Sequence, residues 1–255
     1  IEVGLDIRDD KALDLAFKDV DYVFHLAALP RVQYSIEHPE ETHEINVSGT
    51  LKVLLAAKNA GVKKVVFAAS SSAYGDQDTM PLVETMPAKP KSPYALQKYM
   101  GELYMKIFSE LYGLPTVSLR YFNVYGPGAS TEGAYALVIA RFLQQRIDGK
   151  AMTITGDGTQ TRDFTHVRDI ARANILAAES ALVGNGEVVN IGTGTNASVN
   201  EIARLIGGPV EYIPARLEPH DTLADNQLAK KLLQWEPTVL LEDGIREIKK
   251  LAGLK

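Results

Sequence analysis

The chain contains no cysteine, which excludes disulfides and thiolate-held metals. Its five histidines are scattered and form no pair at ligand spacing, so no metal site is expected. No apolar run is long enough to span a bilayer, and no secretory leader is read at the start. The cytoplasm is therefore the expected compartment. Basic residues are not in excess: the formal net charge is -5 over 255 residues. A nucleic-acid partner, which calls for a basic patch, is not expected. A glycine fingerprint is missing too. No G-x-G-x-x-G or G-x-x-G-x-x-G follows a first strand, and Gly192-Thr193-Gly194, the nearest Gly-x-Gly, is not completed. What remains is a chain with 45% hydrophobic residues, enough for a large core in one or two domains.

The most informative stretch runs over 65–98. It opens as an apolar run, Val65-Val66-Phe67-Ala68-Ala69, and ends in Ser70-Ser71-Ser72. A proline-rich loop follows, and regular structure resumes at Ser92-Pro93-Tyr94-Ala95-Leu96-Gln97-Lys98. The pattern predicts a buried strand with a polar end, then a helix starting near Ser92, with Pro93 in its first turn. Tyr94 and Lys98 are four apart and share a helix face. An ammonium about 5 Å from a phenol, at an effective dielectric near 20, favours the phenolate by roughly 3 kcal/mol, about two pKa units. Ser70 at the strand end could hydrogen-bond the same substrate oxygen. Taken alone, a Y-x-x-x-K pair is better read as two exposed helix residues.

Three motifs in order change that weighting. V-V-F-A-A-S-S-S-A-Y-G-D, S-P-Y-A-L-Q-K and L-R-Y-F-N-V-Y-G-P resemble the extended short-chain dehydrogenase/reductase family. Within it they are most similar to nucleotide-sugar epimerases and dehydratases, above all those acting on UDP-glucose or UDP-N-acetylglucosamine. The resemblance covers essentially the whole chain. It implies an α/β, Rossmann-like doubly wound parallel sheet, truncated at its N-terminal strands, with a small α/β substrate-binding lobe. The NAD-binding domain is expected over 1–122 and 163–195, and the nucleotide-sugar lobe over 123–162 and 196–255. The family's glycine fingerprint and ribose-reading acid precede a segment like 3–9. The chain is thus expected to lack the first strand, helix and second strand, which puts cofactor binding by this chain alone in question.

The resemblance implies NAD as cofactor and Ser70, Tyr94 and Lys98 as catalytic residues. Cofactor contacts carry over to Asp6 and Ile7 beside the adenine, and to Leu26, Ala27 and Ala28 at the end of a strand over 20–28. Asn46 of N-x-x-G-T, Ala68, Tyr94, Lys98, Tyr121 and Val124 complete that set. Substrate contacts carry over to Ser72, Asn123, Ile154, Gly156, Arg162, Arg216 and Glu218. Arg162 is well suited to clamp a diphosphate; a surface salt bridge to Asp163 is the plainer reading. His25 reads as a core-facing polar residue, Trp235 as packing, and Asp9 equally well as the cap of a helix over 11–17.

By spacing, 1–7 reads as a short buried strand, 31–59 as mostly helical with a break at Pro39, and 133–142 as an amphipathic helix. The serine-rich strand end lacks the Asp-Glu pair usual in dehydratases, which favours epimerisation. The leading expectation is NAD-dependent C4 epimerisation of a UDP-hexose through a transient 4-keto intermediate. A nucleotide-sugar decarboxylase, reductase or dehydratase on the same fold is the second reading, and a non-catalytic truncated member the third. A homodimer through a four-helix contact, built from 31–59 and 94–112, is implied as well.

Overall fold

The computed structural model describes residues 4–30, 32–130, 137–214 and 221–254. The chain begins with helix α1 (Asp10–Ala16), capped by the Asp9 carboxylate, which accepts from the Lys11 and Ala12 amides. Strand β1 (Tyr22–His25) follows, then α2 (Val32–Glu37), α3 (Pro39–His43), one π-helical stretch (Glu44–Gly49) and α4 (Thr50–Ala60). Pro39 sits in the first turn of α3, where its missing N–H costs nothing. Left-handed Gly61 stops α4. Strand β2 (Lys64–Ser70), a 3-10 turn (Ser71–Tyr74), helix α5 (Pro93–Tyr112) and strand β3 (Thr116–Tyr121) form the centre.

Beyond it come β4 (Val124–Tyr125), α6 (Val138–Ile147), β5 (Met152–Thr155), β6 (Thr161–Arg162), β7 (Thr165–His166) and α7 (Val167–Glu179). The chain ends with β8 (Asn185–Ile191), β9 (Ala197–Ser198), α8 (Val199–Ile206), β10 (Val210–Ile213), α9 (Gln227–Leu233) and α10 (Leu241–Leu251).

The main sheet is parallel throughout, in the order β1-β2-β3-β8. Its strands alternate between two cores, as a sheet covered on both faces requires. Val65, Phe67 and Ala69 pack with Leu13, Leu54, Met105 and Phe108 under α1, α4 and α5. Val66 joins Val117, Leu119, Ile170, Leu233 and Trp235 under α7 and α9. Trp235 is fully buried and its indole donates to the Asp169 carbonyl at 2.9 Å, so it packs as expected. A separate core of Phe142, Met152, Ile154, Ile202 and Ile248 forms around the β5–β10 pair.

Two expectations need correction. Described residues Gly4–Asp6 pair with no strand among the described residues, and Ile7-Arg8 turn. The Asp6 carboxylate accepts the Arg8 backbone N–H at 2.9 Å and grips its guanidinium, closing a turn where an extended strand was expected. Residues 133–136 of the expected 133–142 helix lie outside the described residues, and α6 begins at Val138.

His25 is buried as foreseen, with Nε2 2.8 Å from the Thr50 hydroxyl. Burial, aided by the nearby Lys98 charge, pushes the imidazole down to about 3. A depressed histidine leaves the folded state short of a proton that the unfolded chain takes up near pH 6.5. Its contribution is therefore complete above that pH and is lost as pH falls toward 3. Chemical denaturation at a series of pH values should show up to about 5 kcal/mol lost across this window from His25. His25→Leu should flatten that part of the profile.

The joint between the sheet and the second lobe rests on Asp163, which is fully buried. Its carboxylate accepts from the Thr193 N–H (2.8 Å), the Thr193 hydroxyl (2.8 Å), the Gly194 N–H (3.0 Å) and the Ala224 N–H (3.1 Å). Gly192 must lack a side chain here, since a Cβ would lie 2.4 Å from that of Ala224. Burial raises the acid above its ordinary range while these donors pull it back. The plainer reading of Arg162 as partner of a surface Asp163 therefore fails: Asp163 is a core anion tying three loops together. Asp163→Ala orphans several buried donors and should cost about 3 kcal/mol or more in urea unfolding.

Candidate active site

Helix α5 starts where β2 ends. The Ser92 hydroxyl caps it by accepting the Ala95 N–H at 3.1 Å, and Pro93 supplies a preset φ. The Tyr94 N–H is taken up by the Ser35 hydroxyl of α2 at 3.0 Å, and that hydroxyl donates on to the Val32 carbonyl at 2.6 Å. This fixes the base of the Tyr94 side chain from outside its own helix. The phenol lies near the Ser70 hydroxyl at the end of β2, which acts to lower its pKa. Ser70 Oγ also accepts from the Ser72 N–H (3.2 Å) and hydroxyl (2.8 Å). One turn along, Lys98 is 5% exposed; its Nζ donates to the Ala68 carbonyl at 2.7 Å and lies 4.9 Å from the Phe67 ring centre. Ser70, Tyr94 and Lys98 thus converge on the carboxyl end of β2.

The electrostatics differ from the simple expectation of a phenol made acidic by its lysine. Burial raises Tyr94 above the usual phenol range, opposed by the Ser70 hydrogen bond. Burial also pushes Lys98 down to about 8, opposed by the Glu102 carboxylate. The physical reason is desolvation: Lys98 is buried with its ammonium tied to a carbonyl, and the half-buried Tyr94 is raised by burial with no offsetting contribution from the lysine.

Along the sheet, Leu26 and Ala27 are exposed and Ala28 half-buried just past β1. Their loop is held by Asn46, whose Oδ1 accepts the Leu29 N–H at 2.7 Å and whose Nδ2 donates to the Leu29 carbonyl at 3.2 Å. Asn46 also donates to Gln97 Oε1 at 2.9 Å, and Gln97 donates to the Thr42 hydroxyl at 3.0 Å. Asn46 reaches this position from the π-helical stretch, an irregularity often found where helices carry function. Gly49 closes the same stretch against Ile7, since a Cβ there would lie 2.6 Å from Ile7 Cδ1. Ile7 is therefore packed beneath the site. Exposed Asp6 is engaged by Arg8 and held down to about 2. The Tyr121 hydroxyl donates to Asn174 Oδ1 at 2.8 Å, and Val124 is half-buried in β4 beside it.

Of the substrate set, Ser72 lies against Ser70. Asn123 is left-handed (φ 27°), and its amide donates to the Asp163 carbonyl at 3.0 Å and Thr222 Oγ1 at 3.3 Å. Half-buried Arg162 stands in the adjoining β6, donating to the Thr161 carbonyl at 2.9 Å. Gly156 turns the chain with φ 69°, its N–H bonded to the Ile213 carbonyl. The Ile154 side chain is 1% exposed in the second core, a packing position. Arg216 and Glu218 lie outside the described residues. Sequence reasoning missed Ser35, Gln97 and the Glu102–Arg120 ion pair, each polar, buried and partnered at long range.

These residues fit a dinucleotide: small exposed side chains past β1, a loop pinned from beneath, and an ammonium and phenol at the next strand end. Residues 2–192 match the NAD dependent epimerase/dehydratase family. A putative UDP-glucose 4-epimerase of Methanocaldococcus jannaschii is 40% identical over 96% of this chain and 82% of its own. The UDP-N-acetylglucosamine 4-epimerase from Methanobrevibacter ruminantium M1, solved with UDP-N-acetylmuramic acid, superposes with a TM-score of 0.93 at 39% identity, over 97% of this chain and 81% of its own. UDP-glucose 4-epimerase of Thermotoga maritima, solved with UDP-glucose, gives 0.91 at 37% identity, over 98% and 84%. With residues 2–192 matching the family and relatives about 40% identical along nearly its whole length, the chain belongs to the NAD dependent epimerase/dehydratase family.

Proposed function

We propose that this chain carries out NAD-dependent epimerisation at C4 of a UDP-hexose, as a cytoplasmic homodimer. The observation that carries the reading is the convergence of Ser70, Tyr94 and Lys98 on one strand end. Leu26, Ala27, Ala28 and Ala68 would line the dinucleotide, with Lys98 on its nicotinamide ribose. When bound, NAD takes up the C4 hydride and returns it. Tyr94 removes the proton of the sugar 4-hydroxyl, and Ser70 holds that oxygen in line. Lys98 offsets the charge that develops on the phenolate. Tyr94 acts as the base in its phenolate form; because burial raises the phenol, it holds the proton it has taken and returns it in the second half-reaction. Asn123 and Arg162, on neighbouring segments joined through Asp163, would hold the diphosphate while the sugar turns over.

The protein incubated with NAD and UDP-glucose, with products separated by chromatography, should give UDP-galactose. Tyr94→Phe should reduce turnover by about 10²–10⁴-fold while leaving NAD binding intact. NAD bound with no epimer formed from UDP-glucose, UDP-galactose or their N-acetyl forms would sink the proposal. Formation of a UDP-pentose and CO₂ from the uronate would point to the decarboxylase instead.

The dimer reading is supported by an apolar stripe on α5. Leu96, Leu103, Ile107 and Leu111 recur at helical spacing and are all exposed, with exposed Leu55 on neighbouring α4. A second copy presenting the same stripe would cover both. Ile107→Glu should convert the dimer to monomer in sedimentation velocity; a wild-type monomer at micromolar concentration would refute this assembly.

A further inference from the structure

The inward face of α5 presents Tyr94, Lys98 and Glu102 on successive turns. Glu102 and Arg120 are each 3% exposed and joined by two parallel bonds, Nε to Oε1 at 2.9 Å and Nη2 to Oε2 at 2.6 Å. Arg120 is fixed from the other side by the Tyr74 ring, whose centroid is 4.4 Å from the guanidinium carbon. The Tyr74 hydroxyl in turn donates to Asn190 Oδ1 at 2.7 Å, and Asn190 Nδ2 donates to the Leu82 carbonyl at 2.9 Å. The carboxylate is therefore braced through β3, the 3-10 turn after β2, and β8.

Stability alone does not call for this pair, since a buried ion pair is often matched or bettered by apolar residues of the same volume. What Leu and Met could not provide is an anion. The groups around Lys98 are the Ala68 carbonyl and Phe67 ring of β2, neutral His25 of β1 and, one turn to either side on the same face of α5, Tyr94 and Glu102. Among the described residues Glu102 is the one carboxylate acting on it. We propose that Glu102 is a positioning residue for Lys98: clamped by Arg120, it is the buried anion that keeps the lysine cationic beside Tyr94, an inference that rests on the catalytic role given to Lys98 above. Burial pulls Lys98 down to about 8, close enough to neutrality that losing this one anion changes its charge at working pH.

The experiment follows Lys98 itself. In protein carrying ¹³C-lysine, the Lys98 Cε resonance, assigned by its loss in Lys98→Met, is titrated against pH. The paired replacement Glu102→Leu with Arg120→Met removes both charges without orphaning either, and should lower the Lys98 midpoint by about one pH unit. The alkaline limb of kcat should move down by the same amount. Arg120→Lys retains the carboxylate and should leave the midpoint in place. An unchanged midpoint in the double variant, or an equal fall in Arg120→Lys, overturns the proposal. The titration needs neither NAD nor sugar. If the 4-epimerase reading fails, the product assay shows it and the Lys98 midpoint still reports on Glu102.

Discussion

An ammonium group taken out of water must find compensation nearby, and Lys98 is 5% exposed. Three things compensate it: the Ala68 carbonyl at 2.7 Å, the face of Phe67, and the Glu102 carboxylate. All three depend on α5 lying at one height and rotation against β2. If α5 slid by a turn, Lys98 would lose its carbonyl, Tyr94 would leave Ser70, and Glu102 would leave Arg120. The catalytic geometry and the relief of a buried charge are thus one constraint. It explains why so much of the surrounding structure serves to fix one helix.

That fixing comes from outside α5. Ser35 satisfies the Tyr94 amide, which the first turn of a helix leaves open. Thr42 and Asn46 hold Gln97 from the α3 and π-helical segments. Asn46 at the same time holds both polar groups of Leu29, the residue after the small stretch at the end of β1. One asparagine therefore sets the distance between the expected dinucleotide wall and the helix that bears the base. The π-helical register matters here, because it lets Asn46 and Gly49 meet two different neighbours within one short stretch.

The sequence made the local parts plain. Val65 to Ala69 could be read as a two-sided strand, Ser92-Pro93 as a helix start, and Tyr94/Lys98 as one face, because each follows from neighbours within a turn or two. Asp9 as a cap and Trp235 as packing were legible for the same reason. Long-range pairs were not. Arg120 belongs to a motif seen from the outset, yet nothing in L-R-Y-F-N says that its partner is Glu102 on another element. Asp163 looked like a surface acid because its four donors come from 193–224, remote in sequence. The direction of the Tyr94 shift was misjudged because spacing shows the lysine but not the desolvation of the phenol where the helix meets the strand end. The segment at 4–7 read as a strand on composition, but an extended run becomes one only when another strand pairs with it.

The same contrast between local and remote contacts bears on how the two lobes share the work. Chemistry at C4 requires the base and the carbonyl-bound lysine to stay rigid, and they sit on the longest helix and the central strand. The residues proposed to anchor the diphosphate would instead have to tolerate a sugar that rotates between two faces. Asn123 and Arg162 come from a left-handed corner and a two-residue strand, short elements with little stiffness of their own. Their rigidity is borrowed from Asp163, whose backbone carbonyl takes the Asn123 amide while its buried carboxylate ties the surrounding loops. A buried acid whose burial raises its pKa and whose donors lower it holds that joint only while it is ionised. Charge therefore governs both halves of the site: a buried cation sets the base, and a buried anion sets the anchor.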